Sequence, residues 1–257
     1  MRTLALTARQ VAYENRSFWR NPAAAFFTFV FPLMFLVIFP LVFGSGTINY
    51  FGQETSTVTF YVPAIAAFSV ITACYTNLAM SITFSREEGV LKRKRGTPLP
   101  AVSFLGARII HSTFIAIVLV AIVVLTGVLF YNVDLPVNTL PAFFVTLVVG
   151  AASFCALGLA ITGFVPNADA APAVINFSIL PLLFISDVFI PIQDAPPWLQ
   201  TFSGVFPLRH FSHAMLAAFN PFETGAGFSW GDLAIVAAWG VAGVVIALRF
   251  FTWEPKR

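Results

Sequence analysis

His210 and His213 stand three residues apart, a spacing that puts two imidazoles on one face of a helix. Two imidazoles fall short of the three or four ligands a zinc site uses, and no third candidate adjoins them in sequence. Cys74 and Cys155 fall in separate apolar runs and read as small packing residues. No metal site and no catalytic residue are assigned. The chain has no G-x-x-x-x-G-K-[ST] loop to cradle nucleotide phosphates, and no Gly-Lys dipeptide at all. The remaining stretch with charged chemistry is "SREEGVLKRKRGTPLP", Ser85 to Pro100. It packs seven charged residues between Arg86 and Arg95, in a chain only 10% charged. Ser85 and Glu88 match a capping box. Glu87 and Glu88 suit the positive end of a helix dipole, and Lys92 to Arg95 the negative end. Glu88 and Lys92 form an i, i+4 pair. Gly96 and Pro98 are stop signals. The spacing predicts a self-terminating helix over 85–96, with Val90 and Leu91 as its apolar contact: a docking element for a partner. A plain basic loop, or a patch for anionic lipid headgroups, explains the cations but not the caps.

These residues need elements to position them, and composition limits what those are. The chain has 257 residues, 58% of them hydrophobic, including 30 Phe. A soluble domain carries about a quarter charged residues, so the reading is an all-α polytopic membrane protein in one transmembrane domain, 1–257. Six stretches are long enough to cross, at about 20 apolar residues each. They are 23–43, 58–84, 104–131, 140–164, 171–190 and 233–251. Pro32, Pro40 and Pro181 interrupt the first and fifth. The span interiors are read as lacking Asp, Glu, Lys and Arg, and no internal repeat is evident.

The basic residues set the orientation. All of the 14 Lys and Arg except Arg209 fall on one side of this six-span arrangement. By the positive-inside rule that side is cytoplasmic, with both termini and the 85–96 helix. The net charge of +3 therefore reports topology and not a nucleic-acid partner. Glu54, Asp134, Asp187, Asp194, Glu223 and Asp232 fall on or near the other side. Residues 1–22 mix apolar with Arg and Gln, as an amphipathic helix in the headgroup layer does. Residues 191–231 carry two short apolar helices of about 7 and 12 residues, broken near Gly204–Pro207. Each is too short to cross, which predicts an outer re-entrant segment.

The charged stretch resembles the cytoplasmic loop of ABC-2-type exporter permeases, of the drug and antibiotic-resistance branch. That loop carries Glu-x-Gly-Thr-Leu-Glu and then Thr-Pro; Glu87, Glu88, Gly89, Leu91, Thr97 and Pro98 match, Val90 replaces Thr, and Lys92 replaces an acid. The six spans, the N-terminal helix and "FIPIQDAPPWLQTFSGVFPLRHFSHAM" extend the resemblance over nearly the whole chain. Asp187 stands where the family usually has Gly. The resemblance implies coupling to a separate ABC ATPase through Arg86, Glu87, Glu88, Gly89, Leu91, Lys92 and Arg93. ATP and Mg would sit on that partner, with no cofactor here. It also implies a second permease copy or a sister permease, surrounding lipid, and export of a hydrophobic or amphiphilic drug or lipid-like substrate across the inner or plasma membrane.

By the same resemblance spans one, two and five wall the pathway. Here they offer Phe35, Phe39, Tyr61, Phe68, Tyr75, Asn77, Asn176, Phe177 and Phe184, aromatic walls that suit flat apolar cargo. Packing or lipid contact is the competing reading of each. Asp187, Phe189, Pro191, Trp198, Phe206, Pro207 and Arg209 are the outer-gate candidates; Asp187 either pairs with Arg209 or meets a cationic cargo. A channel, a secondary transporter and a lipid-modifying membrane enzyme are the alternatives. Secondary transporters usually show intramembrane charges or repeats, and an enzyme needs clustered acid and base groups.

Overall fold

The computed structural model describes residues 2–43, 46–50, 53–97, 99–192, 195–223 and 225–254. It opens with α1 (Arg2–Trp19) and α2 (Pro22–Phe43). Asn21 Oδ1 accepts a hydrogen bond from Ala24 N at 3.2 Å and so caps α2. Pro22 takes the first position, where its missing N–H is no loss. Then α2 runs through Pro32 and Pro40 without a break. A two-stranded antiparallel hairpin follows, β1 (Thr47–Tyr50) with β2 (Gln53–Ser56). The sequence reading did not include it, and it is the exception to an otherwise helical fold.

The second span is the axis of the molecule. It comprises α3 (Thr57–Ile71), a π-helical stretch (Thr72–Asn77) and α4 (Leu78–Glu87), one continuous rod. Every residue of α3 is buried. Around it stand α5 (Val90–Arg95), α6 (Ala101–Tyr131), α7 (Leu140–Thr162), α8 (Ala171–Phe184), α9 (Pro197–Ser203), α10 (Pro207–Ala218) and α11 (Trp230–Phe250). Helix α6 packs on α1 and α3, and α7 on α11 and the π stretch. The outer helices keep large apolar side chains exposed, Leu41, Phe130 and Leu248 among them. That pattern matches apolar surroundings and not water.

Among the described residues, five helices are long and apolar enough to cross a membrane: Pro22–Val42, Thr57–Glu87, Val102–Tyr131, Val137–Thr162 and Trp230–Phe250. The expected fifth crossing, 171–190, is shorter than predicted. Helix α8 has 14 residues, about 21 Å at 1.5 Å each, against a hydrocarbon core of about 30 Å. It stops three residues past Pro181, and Asp187 then takes the left-handed conformation at φ 57°. The pair α9 and α10 has the expected 7 and 12 residues, broken over Gly204 to Phe206. In α7, Ala156 and Ala160 are buried while Ala152 faces outward. The close contacts are Gly240 against Ser153 and Gly243 against Ala156 and Leu157.

One glycine position follows from the π stretch. A Cβ on Gly158 would lie 2.9 Å from both Cys74 O and Tyr75 O, backbone atoms that cannot swing away. Gly158→Ala should therefore lower the melting temperature of the purified chain in detergent, at a cost of about 1–3 kcal/mol. Gly106→Ala, with nothing within 4 Å of its Cβ position, should leave it unchanged.

Candidate functional site

The charged stretch folds differently from its caps. Helix α4 continues the second span through Ser85 and Arg86 to Glu87, so Ser85 is not an N-cap. The break falls at Gly89, whose φ of 69° is cheap only for glycine. Then α5 runs six residues, Val90–Arg95, and Gly96 follows as its C-cap. The expected helix over 85–96 is thus the end of one helix, a glycine corner and a short second helix. Pro98, the expected stop, lies outside the described residues.

The side chains of this corner divide sharply. Glu87, Glu88, Lys92 and Arg93 are exposed, whereas Leu91 is buried. Arg86, expected with the docking charges, is only 1% exposed. Its Nη1 donates to Thr162 O at 2.8 Å and its Nη2 to Val165 O at 2.7 Å. Nη1 also reaches Thr252 Oγ1 at 3.4 Å. One planar guanidinium thus ties the end of α4 to the C-terminal end of α7 and to the segment after α11. It satisfies carbonyls that a helix end leaves open and puts a cation at the negative end of a helix dipole.

A second tie runs the other way. Glu14 of α1 lies 3.5 Å from Lys94 of α5 and 3.5 Å from Arg108 of α6. Arg108 also donates to Ser81 Oγ at 2.6 Å and Ser85 Oγ at 2.9 Å. The expectation that the span interiors lack Arg fails in the third span. The helix starts at Ala101, so Arg108 stands two turns inside it, a buried cation paired and hydrogen-bonded as such positions require. Lys94 sits 4.3 Å over the Phe104 ring. Its partial burial pulls the ammonium below the usual lysine range, and Glu14 opposes that shift. Lys92 and Glu254 are 3.9 Å apart and largely exposed, a contact worth little.

At the other end of the second span the candidate wall and gate residues converge on one ring. Phe189 is buried, with ring centroids 5.3 Å from Phe35, 5.5 Å from Phe39, 5.1 Å from Phe68 and 5.2 Å from Phe184. Tyr61 Oη donates to Phe189 O at 3.3 Å, and its ring lies 5.2 Å from Phe39. This tilted and edge-on cluster closes the space between α2, α3 and the chain after α8. Tyr75, lower on the rod, shares a 2.7 Å hydrogen bond with Ser178. Asn77 donates to Thr28 Oγ1 at 3.4 Å. Phe177 and Trp198 are not brought in: both are strongly exposed. Asn176 is half-buried and Pro191 is exposed. Phe206 stacks 6.3 Å from Trp239 of α11, and Pro207 starts α10.

Asp187 explains its own departure from glycine. Its φ of 57° is a conformation Asp tolerates better than most residues. Its Oδ1 accepts from Ile192 N at 2.7 Å, and its Oδ2 lies 3.6 Å from Arg209 Nε. So it pairs with Arg209 and steadies the turn carrying Phe189. Arg209 also donates to Gln200 O and to Ser203 Oγ. His210 and His213 do face together, but toward a carboxylate: each Nδ1 lies 2.6 Å from one oxygen of Asp232. His210 Nε2 meets Gly204 O at 2.8 Å. The hydrogen bond to Asp232 raises His213 above the ordinary imidazole range. Among the described residues no group of three or more His, Cys, Asp or Glu is arranged to hold a metal ion.

Sequence reasoning missed the π stretch, the Arg86 tie and the role of Glu14. Only the last had a signal, a lone acid on a basic helix.

The ABC-2 type transporter family profile matches residues 3–220. A putative transport permease of Porphyra purpurea, ycf38, is 27% identical over 239 residues, 91% of this chain and 79% of that one. The inner membrane transport permease YadH of Escherichia coli strain K12 is 25% identical over 234 residues, 88% and 86% of the two chains. The probable multidrug ABC transporter permease YbhR of the same strain is 23% identical over 164 residues, 64% of this chain and 44% of that one.

Two outcomes check the site. Arg86→Met should cost about 2–4 kcal/mol by stranding buried carbonyls, read as a lower melting temperature. Arg86→Lys should not restore it, because one ammonium cannot span both acceptors. In a double-mutant cycle, Asp187→Asn with Arg209→Gln should lose less stability than the two single losses summed, by about 0.5–1.5 kcal/mol. Strict additivity would remove the pair.

Proposed function

Since the chain belongs to the ABC-2 type transporter family, whose members are transport permeases and not themselves enzymes, we propose that it is the membrane subunit of an ATP-driven exporter. The family implies an ABC ATPase partner, which would carry ATP and Mg. The exposed charges Glu87, Glu88, Lys92 and Arg93 would dock it. The observation that carries this reading is the corner at Gly89. Its outer face is free for a partner, while Arg86 and Glu14 lash its inner face to α7, α11, α1 and α6. Closure of two ATPases would push a lever that the helices must follow as a rigid body.

The proposed topology puts both termini and this corner in the cytoplasm and the aromatic cluster in the outer half of an inner or plasma membrane. Helix α1 lies in the headgroup layer. Helix α8 with the turn after it makes the sixth crossing, and α9 with α10 dips into the outer leaflet. The Phe189 cluster is a shut outer gate, and Asp187 with Arg209 is its latch. The cargo is hydrophobic or amphiphilic, drug-like or lipid-like, because the walls offer aromatic faces with few fixed charges. It would pass between this chain and a second permease, either a copy or a sister chain.

Co-expression with an ABC ATPase encoded beside this chain tests the reading. Wild-type permease should co-purify with the ATPase and raise its ATP turnover when apolar substrate is added. Glu88→Lys should weaken both by about tenfold, the effect of about 1.4 kcal/mol lost at a charged contact. An intact complex with unchanged stimulated turnover would sink the docking role.

A further inference from the structure

A cavity of about 610 Å³ lies at the Glu87 end of the second span, walled by α1, α2, the π stretch with α4, and α6. That is the volume of a small-molecule site. It is two-faced. Phe27, Phe31 and Phe84 form an apolar side, and Glu14, Arg108 and His111 a polar one. The π stretch contributes Thr72 and Asn77, and π insertions in helices recur at functional sites.

The polar side has unused capacity. His111 Nε2 is buried with no hydrogen-bond partner among the described residues, in a helix long and apolar enough to cross a membrane. Such an orphan costs free energy that a ligand would recover. Arg108 Nε, 3.5 Å from Glu14 Oε2, is likewise buried and makes no hydrogen bond. Glu14 is shared between Arg108 in the lining and Lys94 outside it, so its carboxylate does not belong to Arg108 alone. At the rim stands Glu88, an exposed carboxylate with no ion pair among the described residues. The inner end wants an anion that accepts hydrogen bonds, and the rim wants a cation. Arg108 stands seven residues into α6, about 10 Å from its start. In the proposed topology that is the boundary between headgroups and acyl chains.

We infer that this cavity binds a zwitterionic amphiphile drawn from the cytoplasmic leaflet, with its phosphate at Arg108 and His111, its ammonium at Glu88 and its tail along Phe27, Phe31 and Phe84. The inference rests on the proposed topology but not on export or on the ATPase. The cavity adjoins the Phe189 cluster through Phe31, whose ring lies 4.9 Å from Phe35 and 6.1 Å from Phe68, and it borders the proposed pathway at Asn77, so its occupant sits where cargo from the inner leaflet would wait.

The probe is lysophosphatidylethanolamine with a photoreactive group in its acyl chain, added to the purified full-length chain in detergent without any ATPase. Labelling should map to the peptides that carry Phe27, Phe31 and Phe84. Unlabelled lysophosphatidylethanolamine should compete, and lysophosphatidylglycerol should compete about tenfold less well, the loss of one charged hydrogen bond. Phosphoethanolamine without a tail should not compete. Exposed Glu88→Gln should erase the preference between the two lipids, and His111→Phe should weaken both by about tenfold. Equal competition in the wild type, competition by phosphoethanolamine, or label spread along the outward face of α11 would each overturn the assignment. Because no ATPase is present, loss of the docking role leaves this result standing, and the reverse holds too.

Discussion

A single buried guanidinium holds the mechanical logic of this chain together. Arg86 sits at the end of the most buried helix, and its two Nη groups donate to Thr162 O at the end of α7, to Val165 O just beyond it and to the hydroxyl of Thr252. Arginine suits the position because its planar fork reaches two carbonyls at once and its charge does not titrate away. Burying it is costly, and the hydrogen bonds offset that cost only while all the partners stay in place. The contact is therefore stiff. Displacement at Gly89 cannot be absorbed by slippage between α4, α7 and the end of α11.

Glu14 completes the frame from the opposite side, with one carboxylate shared by cations on α5 and α6. The first helix is thereby bound to the corner it lies beside and does not float free on a surface. Two polar ties, one buried and one half-buried, thus convert a short charged segment into part of the helical bundle. The same geometry leaves Glu87, Glu88, Lys92 and Arg93 exposed, Lys92 with only a weak contact to Glu254, and those are the groups an outside partner can use.

The two ends of the second span are built from opposite materials. Toward Thr57, rings from α2, α3 and the chain after α8 meet at Phe189 and exclude space. Toward Glu87, polar groups from four elements line an open cavity. The π stretch lies between them, where Gly158 lets α7 press on the Cys74 and Tyr75 carbonyls.

Much of this was legible without coordinates, for a physical reason. Long apolar runs can only be buried in lipid or in one another, so the helices and their order follow from composition and length. The 7- and 12-residue pair around Gly204 to Phe206 follows from glycine and proline placement. Charge asymmetry underlies the proposed orientation. Local signals failed where a tertiary contact outbid them. Ser85 and Glu88 spell a cap, yet α4 runs through Ser85 because burial of Ile82 and the ties of Arg86 and Arg108 reward continuing the helix. No spacing rule could say that Arg86 turns inward while Lys92 turns out, or that His210 and His213 converge on Asp232. Sequence determined which segments had to leave water; only packing decided which polar groups meet, because partners many residues apart are chosen by the whole fold and not by the chain around them.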